Sequence, residues 1–275
     1  MYSYVTVITN DNYLPGVIAL RYSLKKVNSK YNLTVIVSRN LSQNSKSILK
    51  KLDLNFIEKD DFYIPQDILN INLSAGMDYW SNTFFKLWAV TLKEYKKIIL
   101  IDSDMIVLKN IDHLFDKEHM SAVVAGKGLN PEWIKLNSGL MVIEPEKISI
   151  SDIMNTLDNV KSKKEIIKNG LGDQDLFNEY CIDWSNMSEL HLGEEYNMFS
   201  IYIDSYLKRG ILKNFNDIYI IHYIGKEKPW NYSLKRVIKI LLKSFKKVSF
   251  GELKAYILFK NINKNANKQL SKILN

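Results

Sequence analysis

The stretch that most constrains the fold is Lys97-Ile98-Ile99-Leu100-Ile101-Asp102-Ser103-Asp104. Its four consecutive apolar residues, three of them β-branched, are too few for a capped helix and rich in strand formers, so they predict a strand buried on both faces. Asp102 and Asp104 leave the C-terminal end of that strand. Open α/β sheets bind ligands at that edge, which would send both carboxylates into a crevice. Carboxylates two apart can share one Mg²⁺ or Mn²⁺ and leave its other positions to water and nucleotide phosphates. The other reading is a pair of solvated turn carboxylates. A second triplet, Asp173-Gln174-Asp175, lacks the apolar run and reads as the opening of a helix with Asp173 near its N-cap.

The N-terminal third supplies the sheet. Residues 4–9 form a β-branched run ended by Asn10-Asp11-Asn12. Val17, Leu20, Tyr22, Leu24 and Val27 then keep close to a helical period, with Asn28-Ser29 as the stop. A strand at 33–37, a helix at 42–52 and a short strand at 54–57 complete the pattern of a parallel sheet with right-handed crossovers. No Gly-rich dinucleotide or phosphate loop follows the first strand. Its Thr9-Asn10-Asp11-Asn12 ending suits hydrogen bonding to a base or ribose, and Tyr13 either stacks on that base or packs at the helix start. Residues 59–79 hold no clear period and read as a long loop, the kind that lids a site. Residues 81–92 read as a helix with Phe84, Leu87 and Trp88 on one face. Lys86 lies off that face, as a solvated lysine on a helix that leads directly into the Asp-Ser-Asp strand.

Beyond Asp104, residues 105–108 stay apolar, 111–115 suggest a short helical turn, and 122–125 another strand. Asn137-Ser138-Gly139 precedes a strand at 140–143. The glycine would let a ligand approach the backbone and the asparagine amide can donate and accept to a polyhydroxylated ligand, or the three form a plain turn. Gly170 to Gln174 starts a helix whose amides and Asp173 could hold sugar hydroxyls, or is an ordinary N-terminus. A strand at 218–221 runs into His222-Tyr223-Ile224-Gly225-Lys226-Glu227-Lys228-Pro229-Trp230. A histidine leaving a strand end can be a third metal ligand, and a glycine with a lysine three residues on can wrap a diphosphate. Alone, His222 reads as a hydrogen-bonded structural residue.

In this order, Val5-Thr6-Val7-Ile8-Thr9-Asn10-Asp11, Lys86-Leu87-Trp88, Asp102-Ser103-Asp104, Asn137-Ser138-Gly139, Gly172-Asp173-Gln174 and His222 to Trp230 resemble the glycogenin-like glycosyltransferases of family 8. The resemblance implies a GT-A fold, an α/β architecture with a mostly parallel central sheet flanked by helices. It further implies a UDP-sugar donor, UDP-glucose or UDP-galactose, with Mn²⁺ (or Mg²⁺), and transfer with retention of anomeric configuration. Carried over by position, Asp102, Asp104 and His222 would ligate the metal. Val7, Thr9, Asn10 and Tyr13 would hold uridine, Ser103 the ribose, and Gly225 and Lys228 the diphosphate. Lys86, Asn137, Gly139, Asp173 and Gln174 would line the donor sugar. Metal and Lys228 would stabilise the UDP leaving group. Gln174 is a feeble nucleophile on the opposite sugar face, which favours front-face attack by the acceptor hydroxyl with the departing phosphate as base. Where self-glucosylating members carry an acceptor tyrosine, this chain has Asp204, with Tyr202 and Tyr206 close by. That points to an external glycan or glycolipid acceptor. Two rivals are a haloacid-dehalogenase-like phosphatase using Asp102 and Asp104, although three strands precede the motif here, and a non-catalytic nucleotide-sugar-binding or membrane-adaptor protein.

Charge divides the chain into a catalytic domain at 1–230 and a tail at 231–275. The tail holds ten lysines, one arginine and a single glutamate, a net +10, which leaves −2 on the first 230 residues. A nucleic-acid surface on the main body is thereby disfavoured. Leu234, Val237, Ile238, Leu241, Leu242, Phe245 and Val248 recur at helical spacing with basic residues on the remaining faces. Such a helix either meets an anionic bilayer or packs on the core with a solvated basic face. Leu253, Tyr256, Ile257 and Phe259 begin another segment, and the polar run 261–267 suggests fraying. The single cysteine, Cys181, fits a reducing compartment, and the absence of a signal-like or roughly 20-residue apolar stretch points to a cytoplasmic protein, peripheral at most on the inner face of the membrane.

Overall fold

The computed structural model describes residues 1–124 and 126–274. β1 (Tyr2–Ile8), β2 (Leu33–Ser38) and β3 (Asn55–Lys59) alternate with α1 (Leu14–Lys26) and α2 (Gln43–Lys51). Pro15 stands in the first turn of α1, where its missing N–H would have no helical partner anyway. Ser42 caps α2, its Oγ accepting from Ser45 N–H at 3.2 Å. All three strands are parallel, as is β4 (Lys97–Ile101), which lies on the other side of β1. Chain direction across the sheet therefore reverses between β1 and β4, and the crevice outside their C-terminal ends is where such sheets take ligands.

Alternation within these strands explains why they read as unbroken apolar runs. Ile99 and Ile101 enter one apolar cluster with Tyr4, Leu20 and Leu24, while Ile98 and Leu100 enter another with Val5, Phe84 and Leu87. Both faces are covered, so neither face can be polar.

β5 (Met105–Val107) leaves the main sheet directly after the Asp-Ser-Asp turn. β6 (Ala122–Val123) and β7 (Asn137–Ile143) extend that sheet, β7 running antiparallel to β4 with Ile101 opposite Leu140. Of the strand expected at 122–125, Ala125 lies outside the described residues. Short helices follow, α4 (Ile150–Met154), α5 (Leu157–Lys161), α6 (Lys164–Asn169) and α7 (Asp173–Tyr180), before β8 (His191–Leu192) closes the sheet edge beside β6. β9 (Met198–Phe199), α8 (Ile203–Lys208) and β10 (Ile220–His222) come next, and β5, β10 and β9 form a second sheet.

The region 59–79 is not wholly loop. α3 (Gln66–Ser74) occupies its centre. Its period was masked because an inward position is polar: Asn72 is fully buried, its Nδ2 donating to Leu171 O at 2.9 Å and its Oδ1 accepting from Leu171 N–H at 2.7 Å. That pair holds the loop ahead of α7. Residues Asp78–Thr91 wind as successive 3-10 turns rather than the expected α-helix, and start three residues early. Tight turns alter which residues face inward, and Lys86, expected in solvent, is among the buried ones.

The tail forms α9 (Leu234–Lys247) and α10 (Gly251–Leu274). α10 is continuous through 261–267, which therefore does not fray; Ile262 and Ala266 lie on the face that packs toward the core. Phe259, fully buried, joins Tyr223, Ile221 and Ala19 in a third apolar cluster between α10, α1 and the second sheet. Asp204 accepts from the backbone N–H groups of Gly251 and Glu252, so α10 takes its N-terminal cap from α8. α9 buries Ile240 and Ser244 but leaves Leu234, Ile238, Leu241, Leu242 and Phe245 exposed. Among the described residues, no helix is long and apolar enough to cross a membrane.

Candidate active site

Register brings three ligand-type atoms together. The turn after β4 closes with Met105 N–H donating to Asp102 O at 3.2 Å. β5 then pairs antiparallel with β10, placing His222 opposite Met105 and so beside Asp104. His222 Nε2 lies 3.2 Å from Asp104 Oδ1 and 3.7 Å from Asp102 Oδ2, and the three residues form the one such cluster among the described residues. Two carboxylates and an imidazole suit a hard-to-borderline divalent cation, and separations of this size are those kept by ligands around one cation with bonds of about 2.1 Å. The residues fit a metal.

Glycine lets β7 come close enough to complete the wall. A Cβ on Gly139 would stand 2.9 Å from His222 Cε1 and 2.8 Å from Met105 Cε, closer than real side chains allow. Gly16 does the same for α1, where a Cβ would come within 2.2 Å of Ser103 O and 2.8 Å of the Trp230 ring. The start of α1 thus rests directly on the Asp-Ser-Asp turn.

Buried charge surrounds the cluster. Lys86 Nζ is 2.7 Å from Asp102 Oδ1 and 3.2 Å from Asp173 Oδ2, with its side chain 9% exposed. Burial pulls this ammonium down, but Asp102 and Asp173 outweigh burial and hold it above the ordinary lysine value. Asp104 accepts from Lys228 Nζ. Burial pushes its carboxyl up, and His222 with Lys228 overrides that to hold it well below the usual carboxylate range. Asp102 goes the other way: burial raises it against the pull of Lys86, with Asp104 adding to the rise. Two carboxylates this close favour any cation that can sit between them.

Asp173 opens α7 as expected, one residue after its cap: Gly172 holds the cap position, its N–H donating to Asp175 Oδ2 at 2.9 Å, and Asp173, the first helical residue, is aimed at Lys86. Beyond that ion pair, Asp173 Oδ2 has no partner among the described residues. Gln174 Oε1 accepts from Asn137 Nδ2 at 2.8 Å and from Ser138 N–H at 3.3 Å. A cleft of about 550 Å³ opens over Asp102, Asn137, Gly139, Asp173, Gln174 and His222, with Trp80 and Phe199 on its walls.

The other expected residues lie around the crevice. Val7 and Thr9 are half-buried at the end of β1, Asn10 Nδ2 donates to Thr9 Oγ1 at 3.3 Å, and Asn10 Oδ1 accepts from Asn12 N–H at 3.1 Å. Tyr13 is half-buried, edge-on to Trp230 at 6.0 Å and 5.9 Å from Lys228 Nζ, so it both packs at the helix start and faces the charged cluster. Ser103 is buried under α1. Gly225 takes φ +105°, a bend that favours glycine, and the loop it opens is tethered across the crevice by Lys226 Nζ donating to Gly76 O at 3.1 Å. Trp230 ends that loop, its indole N–H donating to Asn12 O at 2.9 Å and its ring tilted against Phe259 of α10 at 5.8 Å.

Asn197, which belongs to none of the motifs, is buried here, and its Oδ1 accepts from His222 Nδ1 at 2.8 Å. No sequence signal sets it apart from other asparagines. Gly16 did carry one, a glycine inside a helix, where it costs stability unless close packing needs it.

Residues 4–233 match the description Glycosyl transferase family 8. The chain is 33% identical over 252 residues to an uncharacterized protein of Acanthamoeba polyphaga mimivirus, covering 84% of this chain and 83% of that one. It is 33% identical over 239 residues to glycogenin-1 of Oryctolagus cuniculus, covering 84% of this chain and 66% of the glycogenin, so it spans about two thirds of that protein. Among solved structures, the galactosyltransferase LgtC with donor and acceptor sugar analogs superposes with a TM-score of 0.63 at 15% identity, covering 96% of each chain, a likeness of fold. That fold is GT-A, and with it the phosphatase alternative raised by the Asp-Ser-Asp triplet falls away. The chain belongs to glycosyltransferase family 8.

Proposed function

We propose that the protein transfers glucose or galactose from a UDP-hexose to a hydroxyl of an external glycan or glycolipid, with retention, using Mn²⁺ or Mg²⁺. The observation that carries this reading is the meeting of Asp102, Asp104 and His222 Nε2 at the strand ends, beside the Lys86–Asp173 pair and Gln174. Asp102, Asp104 and His222 would hold the cation, which when bound supplies positive charge to the diphosphate leaving group. Val7, Thr9, Asn10 and Tyr13 then face uridine and Ser103 the ribose. Lys228, already held at Asp104, offers its ammonium to the same diphosphate, with Gly225 shaping the loop around it. Lys86, Asn137, Gly139, Asp173 and Gln174 take the donor sugar.

Both oxygen-directed bonds on Gln174 Oε1 engage the atom that would have to attack the anomeric carbon. This favours front-face transfer: the acceptor oxygen bonds to the anomeric carbon, the bond to the β-phosphate oxygen breaks, and the acceptor proton passes to that departing oxygen. Asp204 is occupied in capping α10, and the Tyr206 hydroxyl is buried against Glu194, which supports an external acceptor over self-glycosylation.

Residues 1–230 form the catalytic unit in this reading and 231–275 an accessory pair of helices. The exposed stripe of α9, flanked by Lys235, Lys239 and Lys246, supports a peripheral position for a cytoplasmic enzyme on the inner face of an anionic membrane, each well-placed cation adding about 1 kcal/mol. UDP release from a panel of UDP-sugars with Mn²⁺, run beside EDTA and Asp104→Asn controls, tests the reading. Metal-dependent hydrolysis of one UDP-hexose is expected. No hydrolysis, together with no Mn²⁺-dependent thermal stabilisation by UDP, overturns it.

A further inference from the structure

Asn197 joins parts of the site that the chain supplies from distant elements. Its Nδ2 donates to Asn137 Oδ1 at 2.7 Å while its Oδ1 receives His222 Nδ1. The direction of this chain is dictated from outside it. Gly139 N–H donates to Asn137 Oδ1 at 3.0 Å and Ser138 N–H donates to Gln174 Oε1. A backbone N–H can only donate, so both of those oxygens are acceptors, Asn137 meets Gln174 with its NH₂, and Asn197 meets Asn137 with its own. What remains for His222 is an acceptor oxygen, and Nδ1 therefore carries a proton.

We propose that Asn197 is a positioning residue that couples the two halves of the site. On one side it holds a proton on His222 Nδ1, so that Nε2, which faces Asp102 and Asp104, is the nitrogen that would offer its lone pair to a cation held between them. On the other, it anchors Asn137 and through it the Gln174 amide, whose NH₂ is left to face the cleft. Outer-shell partners of this kind set ring orientation and ligand basicity for a bound metal. Asn197 lies one residue before β9, and the parallel pairing of β9 with β10 sets His222 beside Phe199, so the coupling is built into the second sheet.

The metal half of this inference rests on the proposed function; the tautomer half does not. Two substitutions separate the roles. Asn197→Ala removes both, and Asn197→Asp keeps the acceptor for His222 Nδ1 but loses the donor to Asn137. With intact folding checked by circular dichroism, calorimetry of UDP with Mn²⁺ should show Asn197→Ala weakened about 10- to 100-fold and Asn197→Asp within about threefold of the parent. Turnover should fall in both, by about tenfold in Asn197→Asp, because the amide facing the sugar is no longer fixed. Nitrogen-15 spectra at pH 8.5, tractable with four histidines in the chain, should show His222 protonated at Nδ1 in the parent and Asn197→Asp, and a tautomer mixture in Asn197→Ala. An unchanged tautomer in Asn197→Ala overturns the proposal, as does equal loss of UDP–Mn²⁺ affinity in both variants. A parent protein without Mn²⁺-dependent UDP binding sinks the functional reading instead, and the tautomer alone then decides.

Discussion

At the C-terminal ends of β1 and β4, Lys86, Asp104, Asp173 and Lys228 are buried and Asp102 nearly so, whereas along α9 five large apolar side chains face solvent. One region keeps charge out of water and the other keeps hydrocarbon in it. α10, adjacent in sequence and also basic, shows that the second condition is not forced by a lack of surface to pack on, since it buries Phe259, Ile262 and Ala266. Burying charge costs folding stability unless something else offsets it, whereas exposed hydrocarbon only forgoes the gain of burial. At the strand ends the ion pairs supply part of that offset, and a bound cation with a nucleotide would do more. On α9, Leu234 and Leu242 stay largely in solvent, and Phe245, edge-on to Phe250 at 5.6 Å, is still 68% exposed.

Asp104→Asn strikes the first region hardest. It keeps shape, removes one negative charge and leaves Lys228 and His222 without their carboxylate, so UDP affinity in the presence of Mn²⁺ should fall about 1,000-fold, ~4 kcal/mol. Calorimetry measures it, and affinity within tenfold of the parent would move the metal site elsewhere. Phe259→Ala tests the contrast between the two tail helices. Emptying a fully buried ring site should cost about 3–5 kcal/mol in urea denaturation, and a loss below ~1 kcal/mol would mean α10 is only loosely attached.

Asp175 shows what a carboxylate does beside the cluster without an ammonium at ion-pair distance among the described residues. Burial pushes it up to about 6. The folded chain then keeps a proton that the unfolded chain loses near pH 4, so this group's contribution is greatest below pH 4 and declines as pH rises toward 6. Asp175→Asn should remove that decline and gain about 1–2 kcal/mol at pH 7.5 with little gain at pH 4. Equal stability of the two proteins at both pH values would contradict it. The smallest effect on folding belongs to α9. Leu242→Ser with Phe245→Ser should change stability by less than ~0.5 kcal/mol, yet cut binding to phosphatidylglycerol vesicles about tenfold. A large stability loss would show the stripe to be internal packing instead.

The β1–β4 core was legible because doubly covered strands must be apolar on both sides, and the run 97–101 could be little else. The Asp-Ser-Asp position followed from it. What sequence hid were polar residues with inward jobs. Asn72 breaks the apolar period of α3 because it bonds the backbone of Leu171, and Lys86 looks solvent-facing on an α-helical wheel that its 3-10 turns do not follow. Asp173 was legible as the opening of a helix, but its pairing with the buried Lys86 was not. Asn197 was invisible, since its role depends on a pairing of β9 with β10 that no local pattern encodes.

Trp230 touches the loop after β1 at Asn12, the first helix at Gly16 and the tail at Phe259. The tail and the loop proposed to face the nucleotide are thus two handles on one side chain. If a partner of the tail shifts α10 against α1, the Asn12 contact shifts with it, and occupancy of one surface changes affinity at the other. Thermodynamic reciprocity then fixes the converse: whatever factor the tail's partner applies to nucleotide binding, the nucleotide applies to the tail.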